Sequence, residues 1–136
     1  MIILIDTNVI LDILQKRKPF FADSYQALQQ AIRSNIDCLI SASTATDIFY
    51  ILRKYLGSAT EAKEQLENLT KIVKFADVQG IDIHAALISK FSDFEDAVVA
   101  SIAERLKASY ILTRNLKDFK DSTVPAILPK DFLKKF

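Results

Sequence analysis

Short apolar runs alternate with longer amphipathic runs along this chain, and this alternation constrains the fold more than any other feature. The predicted strands are Ile2–Ile5, Cys38–Ser41, Ile72–Phe75, Tyr110–Leu112 and Ala126–Leu128. The predicted helices, with apolar residues at spacings of three and four, are Phe20–Ser34, Thr46–Tyr55, Ala59–Leu69, Ile83–Ile88 and Ala97–Lys107. Strands that alternate with helices in this way are typical of a mainly parallel sheet covered by helices. We therefore expect an α/β fold.

Length, charge and cysteine content narrow the class of protein. The 136 residues fit one domain, and half of them are hydrophobic. A net charge of +1 argues against a passive nucleic-acid binder, whose surface is usually strongly basic. The single cysteine, Cys38, excludes a disulfide within the chain. No signal peptide is recognisable and no apolar run reaches the ~18 residues of a membrane span, so we expect a cytoplasmic protein with no membrane partner.

Acidic residues follow three of the predicted strands. Asp6 comes directly after the first strand, Asp47 follows the second through "SASTATD", and Asp118 ends "YILTRNLKDF" after the fourth. A further acidic group, which includes Asp96, opens the helix before the fourth strand in "FSDFEDAVVA". Ligands of open α/β sheets bind beyond the carboxyl ends of the strands. The topology can therefore bring these acids together at one edge of the sheet.

Each acid also has a structural interpretation. The motifs "TATD", ending at Asp47, and "SDFE", ending at Glu95, resemble helix capping boxes. "NLKD", ending at Asp118, would cap a short helix, and Asp6 would suit an Asx-turn. A cap contributes only ~1 kcal/mol, and Ser, Thr or Asn would serve equally well. Capping alone explains poorly why acids recur at the strand ends.

A cluster of carboxylates suits a hard divalent cation. The acids repel one another, which raises their pKa values, and bound Mg²⁺ or Mn²⁺ removes the repulsion. Such an ion activates water and orients a phosphodiester. No Ser–His or Cys–His arrangement indicates a side-chain nucleophile, and the lone His84 has no second His or Cys for a zinc site.

Four stretches, in order along the chain, resemble a known family. They are "IDTNVILD", "ISASTATDIFYIL", "DFEDAVVASIAERLKASYILTRNLKDF" and "VPAILPKDFL", and they extend from residue 2 to residue 133. Together they resemble the PIN domain of metal-dependent ribonucleases, and in particular the VapC-like toxins of prokaryotic toxin–antitoxin pairs. The resemblance implies a single PIN-like domain over residues 1–136, with a three-layer α/β/α fold and about five strands in its central sheet.

The resemblance assigns roles to four acids, Asp6, Asp47, Asp96 and Asp118, as the catalytic set. Asp6, Asp96 and Asp118 match the acids that hold Mg²⁺ or Mn²⁺. Asp47 matches an acidic position at which Glu is common, so its reach is shorter.

Polar neighbours of these acids receive supporting roles from the same resemblance. Asn8, Thr113 and Asn115 match polar positions of the motifs, and many relatives carry Asp where Asn115 stands. Arg114 and Lys117 are candidate contacts to RNA phosphates.

Other residues near these motifs have ordinary structural interpretations. Asp93 and Glu95 suit the start of a helix, where the helix dipole favours negative charge. Asp12 is expected to face solvent or a partner, and Tyr50 to pack in the core or against a second subunit.

The resemblance implies an endoribonuclease that acts as the toxin of a toxin–antitoxin pair, with RNA as substrate, a small antitoxin as partner and a homodimer as its assembly. Two alternatives remain open from the residues. One is a catalytically inactive PIN-like RNA- or protein-binding module, which the neutral Asn115 and short Asp47 allow. The other is a receiver-like module phosphorylated on Asp77, although "IDTN" lacks the usual pair of acids.

Overall fold

The computed structural model describes all residues, 1–136, and contains one five-stranded sheet of order β3-β2-β1-β4-β5. The strands are β1 (Ile2–Ile5), β2 (Asp37–Ser41), β3 (Lys74–Ala76), β4 (Tyr110–Leu112) and β5 (Ala126–Ile127). Every neighbouring pair is parallel. In the central strand, Leu4 aligns with Leu39 of β2 on one side and Ile111 of β4 on the other. The predicted parallel sheet of about five strands is confirmed.

Helices cover both faces of the sheet. They are α1 (Thr7–Leu14), α2 (Phe21–Arg33), α3 (Ala42–Leu56), α4 (Ala59–Leu69), α5 (Gly80–Ile88), α6 (Phe94–Arg105) and α7 (Pro129–Lys135), with a 3₁₀ helix at Leu116–Phe119. Ile3 and Ile5 of β1 point into a core shared with α1, α2, α3, α4 and α7. Leu4 points to the other face and packs with α5 and α6. The three-layer α/β/α architecture is confirmed.

Several element boundaries differ from the prediction for local reasons. The helix predicted to begin at Thr46 begins at Ala42, because the Ser41 hydroxyl accepts from the Ser43 amide and starts the helix directly after β2. The strand predicted from Ile72 begins only at Lys74, because a turn after α4 occupies the preceding residues. Neither α1 nor the short helix α7 is among the predicted helices.

The position of β3 excludes the receiver-like alternative. β3 is an edge strand separated from β1 by β2, whereas the flavodoxin-like order of receivers, 2-1-3-4-5, places the third strand beside the first. Asp77, which follows β3, contacts Gln79 and Arg105 rather than the acids near Asp6. No helix is both long enough and apolar enough to span a membrane.

Candidate active site

An open cleft of about 620 Å³ lies at the carboxyl edge of the sheet. Its acidic lining residues are Asp6, Asp47, Asp93, Glu95, Asp96 and Asp118. Asn8 and Asn115 also line it, whereas Thr113 lies behind Asp6 and Lys117 is exposed outside the cleft. The four acids assigned to the catalytic set therefore share one cavity, as expected from the positions of three of them after strands and of Asp96 at the start of a helix.

Asp6 lies where β1 passes into α1, and its two carboxylate oxygens have different partners. Oδ1 accepts the Thr7 amide at 2.8 Å, which caps α1. Oδ2 accepts the Thr113 hydroxyl at 2.8 Å and the Asn8 side-chain amide at 3.2 Å. Burial raises the pKa of Asp6 above its ordinary value, although the bonds from Thr113 and Thr7 act in the opposite direction. Asp6 is thus both a helix cap and part of the cleft.

The start of α6 brings three acids to the opposite side of the cleft. The Asp93 carboxylate accepts the Asp96 amide at 2.9 Å, so Asp93 is the cap and "SDFE" does not form a capping box through Ser92. Burial, and then the negative charges of Asp93, Asp6 and Asp118, raise the pKa of Asp96 to about 7. A hydrogen bond with Asp47, followed by burial, raises the pKa of Glu95 to about 7.

Asp47 lies in the second turn of α3. The "TATD" capping box is not formed there, because Ser41 already caps the helix. The Asp47 carboxylate instead faces Glu95 across the cleft. A capping role therefore does not account for Asp47.

The loop after β4 carries the remaining polar positions. Thr113 is fully buried, and its hydroxyl accepts the Asn115 amide at 3.0 Å while it donates to Asp6. Asn115 precedes the 3₁₀ helix without capping it through its side chain, and Asp118 projects from that helix into the cleft.

The structure corrects the prediction for Asp12 and shows what holds Arg114. Asp12 does not face solvent: it is fully buried and accepts the Arg114 guanidinium through Nε at 2.7 Å and Nη2 at 3.2 Å. Because its guanidinium is held by Asp12, Arg114 points away from the acidic cleft and lines a separate cavity beside Phe20. An RNA contact by Arg114 at the cleft is therefore not supported.

Two further cleft residues were not predicted from the sequence. Arg17, just after α1, is the one cation that lines the cleft, and its Nε donates to Gln15 Oε1 at 2.6 Å. Tyr50 also lines it and is 63% exposed, so Tyr50 does not pack in the core, and its packing against a second subunit stays a prediction. The basic run "QKRK" was the available signal for Arg17, whereas nothing local distinguishes Tyr50 from a core aromatic residue.

The donor set fits a hard divalent cation in its chemistry. Six carboxyl groups and one cation line the cleft, and the charges of Asp6 and Asp118 reach Asp96 strongly enough to raise its pKa. Oxygen ligands of this kind suit Mg²⁺ or Mn²⁺. No three of the acids lie close enough together in the structure to hold an ion directly as they stand, whereas Mg²⁺ usually keeps several waters beside one or two carboxylates.

Comparisons with known proteins agree with this geometry. The family described as "PIN domain" matches residues 2–117. The chain is 24% identical over 144 residues to Ribonuclease VapC1 from Aquifex aeolicus (strain VF5), covering 98% of this chain and 94% of that protein.

Solved structures show the same fold. VapBC2 from Rickettsia felis, bound to a DNA fragment from its promoter, matches with a TM-score of 0.71 and 18% identity over 94% of this chain and 98% of that one. A toxin–antitoxin complex from Klebsiella pneumoniae matches with a TM-score of 0.71 and 19% identity, covering 93% of this chain and 96% of that one. With the family match extending over most of the chain, and with the expected acids in one cleft, the chain belongs to the PIN domain family.

Proposed function

We propose that this chain is a divalent-metal-dependent endoribonuclease that hydrolyses RNA phosphodiester bonds, and that it is the toxin of a toxin–antitoxin pair. The observation that carries the proposal is the open cleft with six acids and a single cation. Mutual repulsion makes such a cluster unfavourable on its own, and a divalent cation offsets it. The similarity to Ribonuclease VapC1 supports RNA as the substrate class.

Different residues have different roles in the proposed reaction. Asp6, Asp96 and Asp118 would hold the ion, which supplies activation of water and neutralisation of the phosphate charge. Asn8 and Thr113 orient the Asp6 carboxylate through their hydrogen bonds. No Ser, Cys or His side chain lies among the cleft residues, which supports water as the attacking group.

The proposed toxin role implies that the nuclease binds other protein chains. The similar structure from Klebsiella pneumoniae is a toxin–antitoxin complex, which supports a small antitoxin as partner. An antitoxin segment that carries Arg or Lys would find complementary charge in the acidic cleft. We further propose a homodimer, and the cytoplasm as the place where the enzyme meets RNA.

Cleavage of a mixed RNA pool tests the nuclease. Purified wild-type protein is assayed with Mg²⁺, with Mn²⁺ and with chelator, beside Asp6→Asn. Asn caps a helix as well as Asp, so this variant keeps α1 while it removes the negative oxygen. We expect metal-dependent cleavage by wild type and a loss in Asp6→Asn larger than the ~10–100-fold that supporting residues cost.

Glu67→Gln is the matched control, because it makes the same change of charge at an exposed position of α4 outside the cleft. It should cleave like wild type. Equal cleavage by wild type and Asp6→Asn would point to a contaminating nuclease and contradict the proposal.

The neutral Asn115 favours one alternative, a PIN-like module that binds RNA or protein without cleaving it. Asn115 lines the cleft at a position where an acid would strengthen metal binding. Binding of RNA with no cleavage in either metal would establish that alternative and exclude the nuclease.

A further inference from the structure

The buried pair Asp12–Arg114 is not used by the proposed chemistry. Asp12 is fully buried on α1 and accepts three hydrogen bonds, two from the Arg114 guanidinium and one from the Ser24 hydroxyl at 3.2 Å. The Arg114 guanidinium also lies over the Phe20 ring, 3.9 Å from its centroid. A charged pair removed from water in this way costs desolvation energy, which excellent geometry must offset.

The pair joins two of the elements that carry site acids. Asp12 lies on the helix that begins at Asp6, and Arg114 lies in the loop that leads to Asp118. Consecutive residues of this loop contact α1 at successive points. The Thr113 hydroxyl reaches Asp6 at 2.8 Å, the Arg114 amide reaches Asn8 Oδ1 at 3.4 Å, and the Arg114 guanidinium reaches Asp12. The loop is therefore fastened along one side of the helix.

The geometry of an Arg–carboxylate pair suits this role. A guanidinium presents its donors as a planar fork, so a two-point bond to a carboxylate fixes orientation as well as distance. The hydrogen bond from the Ser24 hydroxyl to Asp12 and the stacking of Arg114 on the Phe20 ring restrict the pair further. A loop held in this way does not drift relative to α1.

We propose that Asp12 and Arg114 are positioning residues that hold the loop leading to Asp118 against the helix that begins at Asp6, and so place these two acids for binding a divalent cation. The inference rests on the proposed function, in which these two acids bind the ion. A positioning role explains why this buried charge pair lies close to the cleft without lining the cleft.

The chain supplies a matched control in a second buried pair, Asp82–Arg105. Asp82 is also fully buried, Arg105 is 22% exposed against 23% for Arg114, and their shortest contact is 2.9 Å. Arg105 lies nine residues after Asp96 on α6, or ~13 Å along the helix axis. Loss of this pair tests the effect of a buried ion pair that is remote from the site.

The experiment measures the Kd of Mn²⁺ for folded protein without RNA, by calorimetry, together with the melting temperature. We expect Asp12→Asn to raise the Kd about 10-fold or more, because residues that support metal ligands have effects of this size. Asp82→Asn should lower the melting temperature and leave the Kd unchanged. This readout does not depend on nuclease activity.

Arg114→Lys and Arg114→Met complete the test and replace Asp12→Asn if that variant does not fold. Lys keeps the charge without the fork, so its Kd should lie between those of wild type and Arg114→Met. An unchanged Kd in the folded Asp12 and Arg114 variants, or an equal rise in Asp82→Asn, would overturn the positioning role alone. Absence of Mn²⁺ binding by wild type would instead refute the proposed function from which the inference starts.

Discussion

At the scale of single residues, Asp6 shows how one carboxylate combines a structural and a chemical role. Its Oδ1 satisfies an amide of the first helical turn, as Ser or Asn would. Its Oδ2 is held by donors from Thr113 and Asn8, and only an acid leaves negative charge at this point. The two roles use different oxygens, so they do not compete.

Thr113→Val tests the hydrogen bond that orients Asp6. Val has a similar shape, but it removes the donor to Asp6 and the acceptor of the Asn115 amide at a fully buried position. We expect a loss of ~1–3 kcal/mol in the free energy of unfolding in urea, with slower metal-dependent cleavage. Thr113→Ser keeps the hydroxyl and should retain most of the free energy of unfolding and of the cleavage rate. Equal losses of stability and cleavage in the Val and Ser variants would show that the methyl group, not the hydrogen bond, matters.

The raised pKa values of Asp96 and Glu95 predict a pH dependence of stability. Both are about 7 in the folded protein, against ordinary values of 3.8 and 4.5. Between pH ~4 and ~7 the unfolded chain therefore loses these protons first, and the free energy of unfolding should fall as the pH rises through this window. Mg²⁺ should restore stability at pH 8, where the carboxylates are ionised, and have little effect at pH 5.

Thermal melts of wild type and Asp96→Asn, with and without Mg²⁺, measure this dependence. Asn cannot ionise, so the variant should lose less stability between pH 5 and 8 and gain less from Mg²⁺. A parallel pH dependence in the two proteins would contradict the assignment of the titration to Asp96.

At the scale of elements, the junction of α3 and α4 depends on one glycine. α3 ends at Gly57, whose φ of 68° lies in the left-handed region, and Ser58 caps α4 immediately afterwards. The left-handed conformation satisfies the end of one helix and redirects the chain into the next. This tight junction packs α4 against α3, the helix that carries Asp47.

Gly57→Ala should lower the free energy of unfolding by ~1–2 kcal/mol, because a Cβ is strained in the left-handed region. No atom lies within 4 Å of the point that a Cβ at residue 57 would occupy, so the cost comes from the backbone rather than from a clash. Asn tolerates this conformation better, and Gly57→Asn should lose less in urea unfolding. Equal stability of the Ala variant and wild type would contradict the argument.

At the scale of the whole molecule, the strand order decides where the site lies. The chain runs outward from β1 through β2 to β3, and then continues on the other side of β1 with β4 and β5. The order therefore reverses between β1 and β4, where open α/β sheets form their ligand crevices. The hydrogen bond from Thr113 to Asp6 crosses this boundary.

The outer surface of α5 bears on the proposed homodimer. Ile81, Leu87 and Ile88 of this helix are 64%, 66% and 88% exposed, and exposed apolar surface often marks an interface. We expect the double variant Leu87→Lys/Ile88→Lys to be monomeric by light scattering where wild type is dimeric. Ile72→Lys, at an apolar residue that is 46% exposed outside α5, is the control and should remain dimeric. A dimer that survives the double variant would place the interface elsewhere.

The sequence by itself determined the five strands, five of the seven helices, the class of fold and the four acids of the catalytic set. Apolar periodicity is a local property, so the strand Tyr110–Leu112 and the helix Ala59–Leu69 were predicted with their observed bounds. The carboxyl ends of parallel strands share one edge, so Asp6 and Asp118 could be placed together without coordinates.

Tertiary structure alone decided which groups pair across long separations. Asp12 and Arg114 are 102 residues apart, and nothing near either one indicates that the other will meet it in the interior. The caps of α3 and α6 were also misread, because "TATD" and "SDFE" fit the capping pattern as well as Ser41 and Asp93 do. The physical reason is that a side chain's partner depends on the order and packing of distant elements, whereas its tendency to form a helix or a strand depends on its neighbours in sequence.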